Sequence, residues 1–168
     1  FKNTSNEGLR HYKSEKETEQ LNTLRSFYFE SAKGAHRMNI TFLETSDMHG
    51  YVSPTDYSGR TDLALGAAKV SSKLKELRAK ANGPVITIEN GDFIQGSPLS
   101  YYLAKEYGSA KELTGLINQM SYDVQVLGNH EFNYGVDYLK EAIKNYQAPI
   151  LGANMVNKND QPYFGNAY

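Results

Sequence analysis

Residues 39–45 alternate apolar and polar side chains and are rich in Ile, Thr and Phe, which predicts a β-strand. The period then changes. Leu63, Ala67, Val70, Leu74 and Leu77 recur at helical spacing over 63–81, and Asn82-Gly83-Pro84 closes that helix. Residues 84–89 (PVITIE) read as a short buried strand. Residues 98–106 and 110–120 read as helices, 123–127 as a third strand, 136–145 as another helix and 149–153 as a fourth strand. Strands alternating with helices predict an α/β layered fold with mainly parallel pairing. There is no internal repeat and no low-complexity tract.

The first 37 residues differ from the rest. Lys2 to Gln20 is polar and nearly free of aliphatic residues. Leu21, Leu24, Phe27 and Tyr28 then give a short helical spacing that Gly34 would stop. This predicts a solvated tail, 1–37, ending in a surface helix. A pro-segment and a docking helix are the alternatives. The α/β pattern occupies 38–168.

The polar residues of interest all follow strands. Thr45-Ser46-Asp47-Met48-His49-Gly50 follows the first, Asn90-Gly91-Asp92 the second and Gly128-Asn129-His130-Glu131 the third. In open α/β sheets ligands bind outside the carboxyl ends of the strands, so three loops distant in sequence converge in space.

Their chemistry is that of metal ligands. In an extended segment Asp47 and His49, at i and i+2, point the same way and offer one carboxylate oxygen and one imidazole nitrogen to one ion. Alone, the pair is as well explained by a capping Asp beside a surface His. Gly91 lets the backbone turn close to a ligand. The two oxygens of Asp92 can bridge ions held roughly 3.5–4 Å apart. Alone, Asp92 is an ordinary turn residue. Asn129 offers a neutral amide oxygen, which adds a ligand without adding negative charge. In an extended loop His130 faces another way and is free to touch a phosphoryl oxygen or to protonate a leaving oxygen. Each loop has a mundane explanation. Three metal-competent loops at three strand ends make a joint coincidence improbable.

These blocks, Asp-x-His, Gly-Asp and Gly-Asn-His-Glu in order, resemble the calcineurin-like metallophosphoesterase superfamily. The runs Glu44–Gly50, Glu89–Leu99 and Leu127–Gly135 resemble its 5'-nucleotidase branch. Within that branch the likeness is to bacterial 2',3'-cyclic-nucleotide 2'-phosphodiesterase/3'-nucleotidases, and it covers about residue 39 onward. Many 5'-nucleotidases carry an Asp three residues after the motif histidine. Here Asn133 stands there, as in the cyclic-nucleotide enzymes, and an amide still orients His130 but holds a charged imidazole less strongly.

The resemblance implies a four-layer α-β-β-α sandwich, of which this chain would form part. It implies two divalent ions (Mn, Zn, Fe or Co). Asp47 and His49 would bind the first, Asp92 would bridge, and Asn129 would bind the second. His130, oriented by Asn133, would contact the phosphate of a nucleotide while a metal-bound hydroxide attacks phosphorus. Gln95 and Ser97 receive no role. The family's later metal-binding histidines have no counterpart here: no histidine follows His130, and the only others are His11 and His36. The expectation is therefore half a site, completed by a C-terminal continuation or a second chain. A non-catalytic binding module and a 5'-nucleotidase are the competing readings.

Composition narrows this further. The formal net charge is −1 with acids and bases mixed, which is unlike a binder of nucleic-acid polymers. There is no cysteine, so disulfides and thiolate metal sites are excluded. No apolar run approaches the roughly 20 residues of a membrane span. Family habit points to the periplasm, the cell wall or secretion.

Overall fold

The computed structural model describes residues 12–16, 25–29 and 39–164. Two strands, β1 (Tyr12–Lys16) and β2 (Arg25–Phe29), pair antiparallel with Tyr12 opposite Phe29. This corrects the expected helix through Phe27 and Tyr28. Arg25-Ser26-Phe27-Tyr28-Phe29 is dominated by aromatic residues, which favour a pleated strand. Leu21, Leu24, Gly34, His11 and His36 lie outside the described residues.

The remaining elements follow the predicted alternation. β3 (Thr41–Thr45) leads to α1 (Ala67–Lys80) and β4 (Val85–Glu89). Next come α2 (Pro98–Tyr102), which continues as a π-helix over Leu103–Tyr107, and α3 (Lys111–Asn118). β5 (Val124–Val126), a 3-10 turn (His130–Phe132), α4 (Val136–Asn145) and β6 (Ile150–Leu151) complete the order. The four strands β3-β4-β5-β6 form one parallel sheet in sequential order.

Each strand is added on the same side of its predecessor. Right-handed crossovers then place the intervening helices on one face of the sheet. Burial agrees. Thr41, Leu43, Thr45, Thr87, Glu89, Gln125 and Ile150 are buried on that face, whereas Phe42, Ile86, Ile88, Val124, Val126 and Leu151 on the other are partly buried. Within 39–164 the described residues thus supply one four-stranded sheet and one helical layer, beside the separate two-stranded β1–β2 sheet.

The core between them contains Leu43, Leu74, Phe93, Ile94, Leu113, Ile117 and Leu139, all nearly solvent-free. Val70 and Leu74 point α1 into it, as the helical spacing requires. Arg78 at the end of α1 ties this layer to the next element. Its guanidinium donates to the carbonyls of Met120 and Ser121, both at 2.8 Å.

Candidate metal centre

The loop after β3 is kinked, not extended. Asp47 and His49 adopt left-handed φ values of 57° and 49°, so the i, i+2 geometry expected of a straight segment does not apply. Backbone bonds to the neighbouring loop hold the kinks in place. Asp47 N–H donates to the Gly91 carbonyl at 3.0 Å, His49 N–H to the Asp92 carbonyl at 2.8 Å, and Ser97 N–H back to the His49 carbonyl at 2.7 Å. The two side chains still meet: Asp47 Oδ1 lies 3.7 Å from His49 Nε2.

The tautomer of His49 follows from its partner. Its Nδ1 lies 2.8 Å from the Gln95 carbonyl oxygen. A carbonyl only accepts, so Nδ1 carries a proton, and in the neutral ring Nε2 keeps its lone pair. With the ring neutral, Nε2 and the Asp47 carboxylate are two acceptors facing each other. A cation satisfies that arrangement. Ser46 Oγ donates to the other Asp47 oxygen.

Asp92 also has a left-handed backbone, with φ of 60°. Its Oδ1 accepts the His130 N–H at 2.8 Å, and its own N–H donates to Glu131 Oε2 at 2.8 Å. Among the described residues no hydrogen bond to its Oδ2 is seen. The bridging oxygen expected of Asp92 is thus narrowed to one free atom and one already engaged.

Asn129 and His130 start a 3-10 turn, which corrects the extended loop expected there. The turn swings the His130 ring against His49, edge to face, with centroids 4.9 Å apart. Ligand atoms of His49, Asp92 and His130 all lie within 4.8 Å of one another. Asn133 Nδ2 lies 3.0 Å from His130 Nδ1. Asn129 is exposed at the start of the turn beside His130. The donor chemistry, mixed oxygen and imidazole nitrogen converging from three strand ends, fits a divalent ion.

Three parts of the site escaped the sequence reading. Gln95 acts through its carbonyl on His49. Ser97 caps α2: its Oγ accepts the Ser100 N–H at 3.0 Å and donates to the Gly50 carbonyl at 2.7 Å. Ser-Pro ahead of a helix is a legible N-cap signal for that role. Glu131, 2% exposed, accepts backbone N–H groups from both loops, a role that its place in the Gly-Asn-His-Glu block does not by itself reveal.

Glycines set the clearances. A Cβ on Gly96 would stand 2.6 Å from the His49 Cβ, and one on Gly128 would stand 2.2 Å from Asp92 Oδ1. Below the loops, Glu89 is buried and its Oε1 accepts the Gly91 N–H at 3.1 Å. Burial, and then the Glu131 carboxylate, push the Glu89 acid well above the usual carboxylate range.

The family model for calcineurin-like phosphoesterases matches residues 40–167. A 2',3'-cyclic-nucleotide 2'-phosphodiesterase/3'-nucleotidase from Haemophilus influenzae is 36% identical over 142 residues, which is 81% of this chain and 21% of that protein. A Staphylococcus aureus structure described as a 5'-nucleotidase in complex with alpha-ketoglutarate is 38% identical, with a TM-score of 0.70 over 76% of this chain and 25% of that one. The calcineurin-like phosphoesterase YfkN from Bacillus subtilis is 30% identical, with a TM-score of 0.66 over 74% of this chain and 39% of its own. The chain spans about a fifth of the length of the curated relatives it matches.

Proposed function

The chain belongs to the calcineurin-like phosphoesterase family, and on that premise we propose that it carries part of a two-metal centre hydrolysing nucleotide phosphoesters, with 2',3'-cyclic nucleotides and 3'-nucleotides favoured. The observation that carries this reading is the convergence of His49, Asp92 and His130 within 4.8 Å, beside an Asp47–His49 pair of facing acceptors. Asp47 and His49 would hold one ion, Asp92 would be shared, and Asn129 would serve the second. Manganese, zinc, iron and cobalt all suit such ligands. When bound, the ions supply Lewis acidity toward the phosphoryl group and toward water.

The chain's own residues do the rest. Gln95 fixes the His49 ring so that Nε2 is the ligating atom. Asn133 Nδ2 donates to His130 Nδ1, which leaves Nε2–H as the ring's donor. That donor suits a phosphoryl oxygen or the leaving oxygen. A second reading makes His130 a ligand instead, and its place among the converging atoms favours it.

Asp47, His49, Asp92 and Asn129 are fewer donors than two ions take, about four or more each. The remaining positions are filled by water or by donors outside the described residues, from a C-terminal continuation or a second chain. We assign 38–168 to the domain and 1–37 to a tail, in keeping with the family match over 40–167. Among the described residues no helix is long and apolar enough to cross a membrane. We place the protein in the periplasm, the cell wall or outside the cell.

Substrate preference rests on the Haemophilus relative's name and on Asn133. The resemblance to a 5'-nucleotidase structure keeps that activity as the competing preference. Calorimetric titration with Mn²⁺, followed by hydrolysis of 2',3'-cyclic AMP, 3'-AMP and 5'-AMP, tests the reading. Slow Mn²⁺-dependent rates in that order are expected, because the chain has fewer donors than two ions take. Fastest turnover of 5'-AMP supports the nucleotidase alternative, ion binding without turnover supports a binding module, and no ion binding sinks the metal centre.

A further inference from the structure

Glu131 joins two loops that local structure cannot join. Its Oε1 accepts the N–H groups of Phe93 at 2.6 Å and Ile94 at 3.3 Å. Its Oε2 accepts those of Asp92 at 2.8 Å and Gly128 at 2.7 Å. The contact is reciprocal, because the Asp92 carboxylate accepts the His130 N–H at 2.8 Å. Asp92 is therefore gripped at its backbone N–H and at one carboxylate oxygen, which leaves it one orientation. Glu131 is 2% exposed, so water does not compete for these bonds.

We propose that Glu131 is a positioning residue that clamps the loop after β4 to the loop after β5 and so sets where Asp92 and His130 stand. The proposal rests on the metal-centre reading above, and concerns how that site is held rather than what it binds. Glu131 touches no reacting atom. It acts through Asp92, whose Oδ2 stays available, and through the turn that carries His130. A carboxylate is required because both of its oxygens must accept. Glutamine keeps the shape but turns an NH₂ toward two N–H donors, and aspartate is one methylene too short to reach both loops.

The test compares Glu131→Gln and Glu131→Asp with the wild-type chain by Mn²⁺ titration calorimetry and by amide NMR of the metal-free protein. The clamp predicts Mn²⁺ affinity lowered about 10–100-fold, as for other residues that orient ligands. It also predicts upfield-shifted amide signals for Asp92, Phe93 and Gly128, with α1 signals such as Leu74 unmoved. Affinity within about twofold of wild type together with unmoved Asp92 and Gly128 amides overturns it. If the wild type binds no Mn²⁺, the metal reading fails and the amide signals alone decide the clamp. If neither variant folds, hydrogen exchange in the wild type decides. The Asp92 and Gly128 amides should be protected and open together, and unprotected or independently exchanging amides overturn the proposal.

Discussion

Gly128→Ala is the sharpest probe of the site. Gly128 is not in the left-handed region, so alanine meets no backbone penalty there, and the whole effect is steric. The added Cβ would lie 2.2 Å from Asp92 Oδ1, 2.7 Å from its Cγ and 2.8 Å from its backbone nitrogen. Restoring a tolerable contact takes roughly 1 Å of displacement. Asp92 cannot yield freely, because His130 and Glu131 hold both its ends. Metal–ligand distances tolerate about 0.2 Å, so the displacement is about five times what a ligand can absorb. Overpacking of this kind costs about 1–3 kcal/mol. At about 2–4 °C per kcal/mol for a chain of this size, Tm falls by roughly 2–12 °C. Scanning calorimetry reads that change, and titration with Mn²⁺ should show affinity at least about tenfold lower. Gly115→Ala in α3 is the control, since its Cβ meets nothing within 4 Å. It should raise stability by up to about 1 kcal/mol through helix propensity alone. A Gly128→Ala variant with wild-type Tm and wild-type Mn²⁺ affinity would refute the reasoning. A lowered Tm with unchanged affinity would remove Asp92 from the ligand set.

Other expectations follow from the same geometry. His49→Ala should weaken Mn²⁺ binding by at least about tenfold, whereas His130→Ala should lower kcat by about 10²–10⁴ with Mn²⁺ affinity nearly unchanged; equal loss of affinity in both would make His130 a ligand. The isolated 168-residue chain should bind Mn²⁺ weakly and turn over little substrate, and assays across Mn²⁺ concentrations giving rates typical of complete nucleotidases would contradict this. Glu89→Gln should flatten stability against pH. The wild-type acid is raised above its ordinary 4.5, so its contribution is fully present at low pH and is lost as pH climbs from about 4.5 through the raised value. Urea unfolding at pH 5 and pH 8 measures the difference, and an equal pH slope in the variant would mean Glu89 is not the titrating group. Ser97→Ala should lower stability by about 1 kcal/mol or more by removing the α2 cap and the bond to Gly50, as read by thermal unfolding.

Periodicity sufficed for the sheet and its helices. Val136–Asn145 forms where its spacing predicts, and Thr41–Thr45 buries alternate residues as a one-sided strand should. The strand-end position of the polar blocks was equally legible, because chain direction and parallel pairing place all three loops at one edge. Geometry within the loops was not. Asp47 and His49 were read as neighbours on straight backbone, and they meet through two kinks held by Gly91 and Asp92. His130 was read as pointing elsewhere, and a 3-10 turn brings it to His49. The role of Glu131 was not legible because three of its four bonds reach 37 to 39 residues back along the chain. The strand at Arg25–Phe29 was missed because the apolar residues before it mimic a helical spacing.

The left-handed backbone at Asp47, His49 and Asp92 has a consequence for redesign. Non-glycine residues held in that region cost of order 1–3 kcal/mol each, and glycine would relieve it. Anyone choosing side chains for this backbone by robustness alone would write glycine at all three places. The product would be a tougher domain with the proposed ion-holding atoms erased. These three positions are where selection for heat tolerance and selection for chemistry pull in opposite directions, and a stabilised variant should be screened there first for lost metal binding.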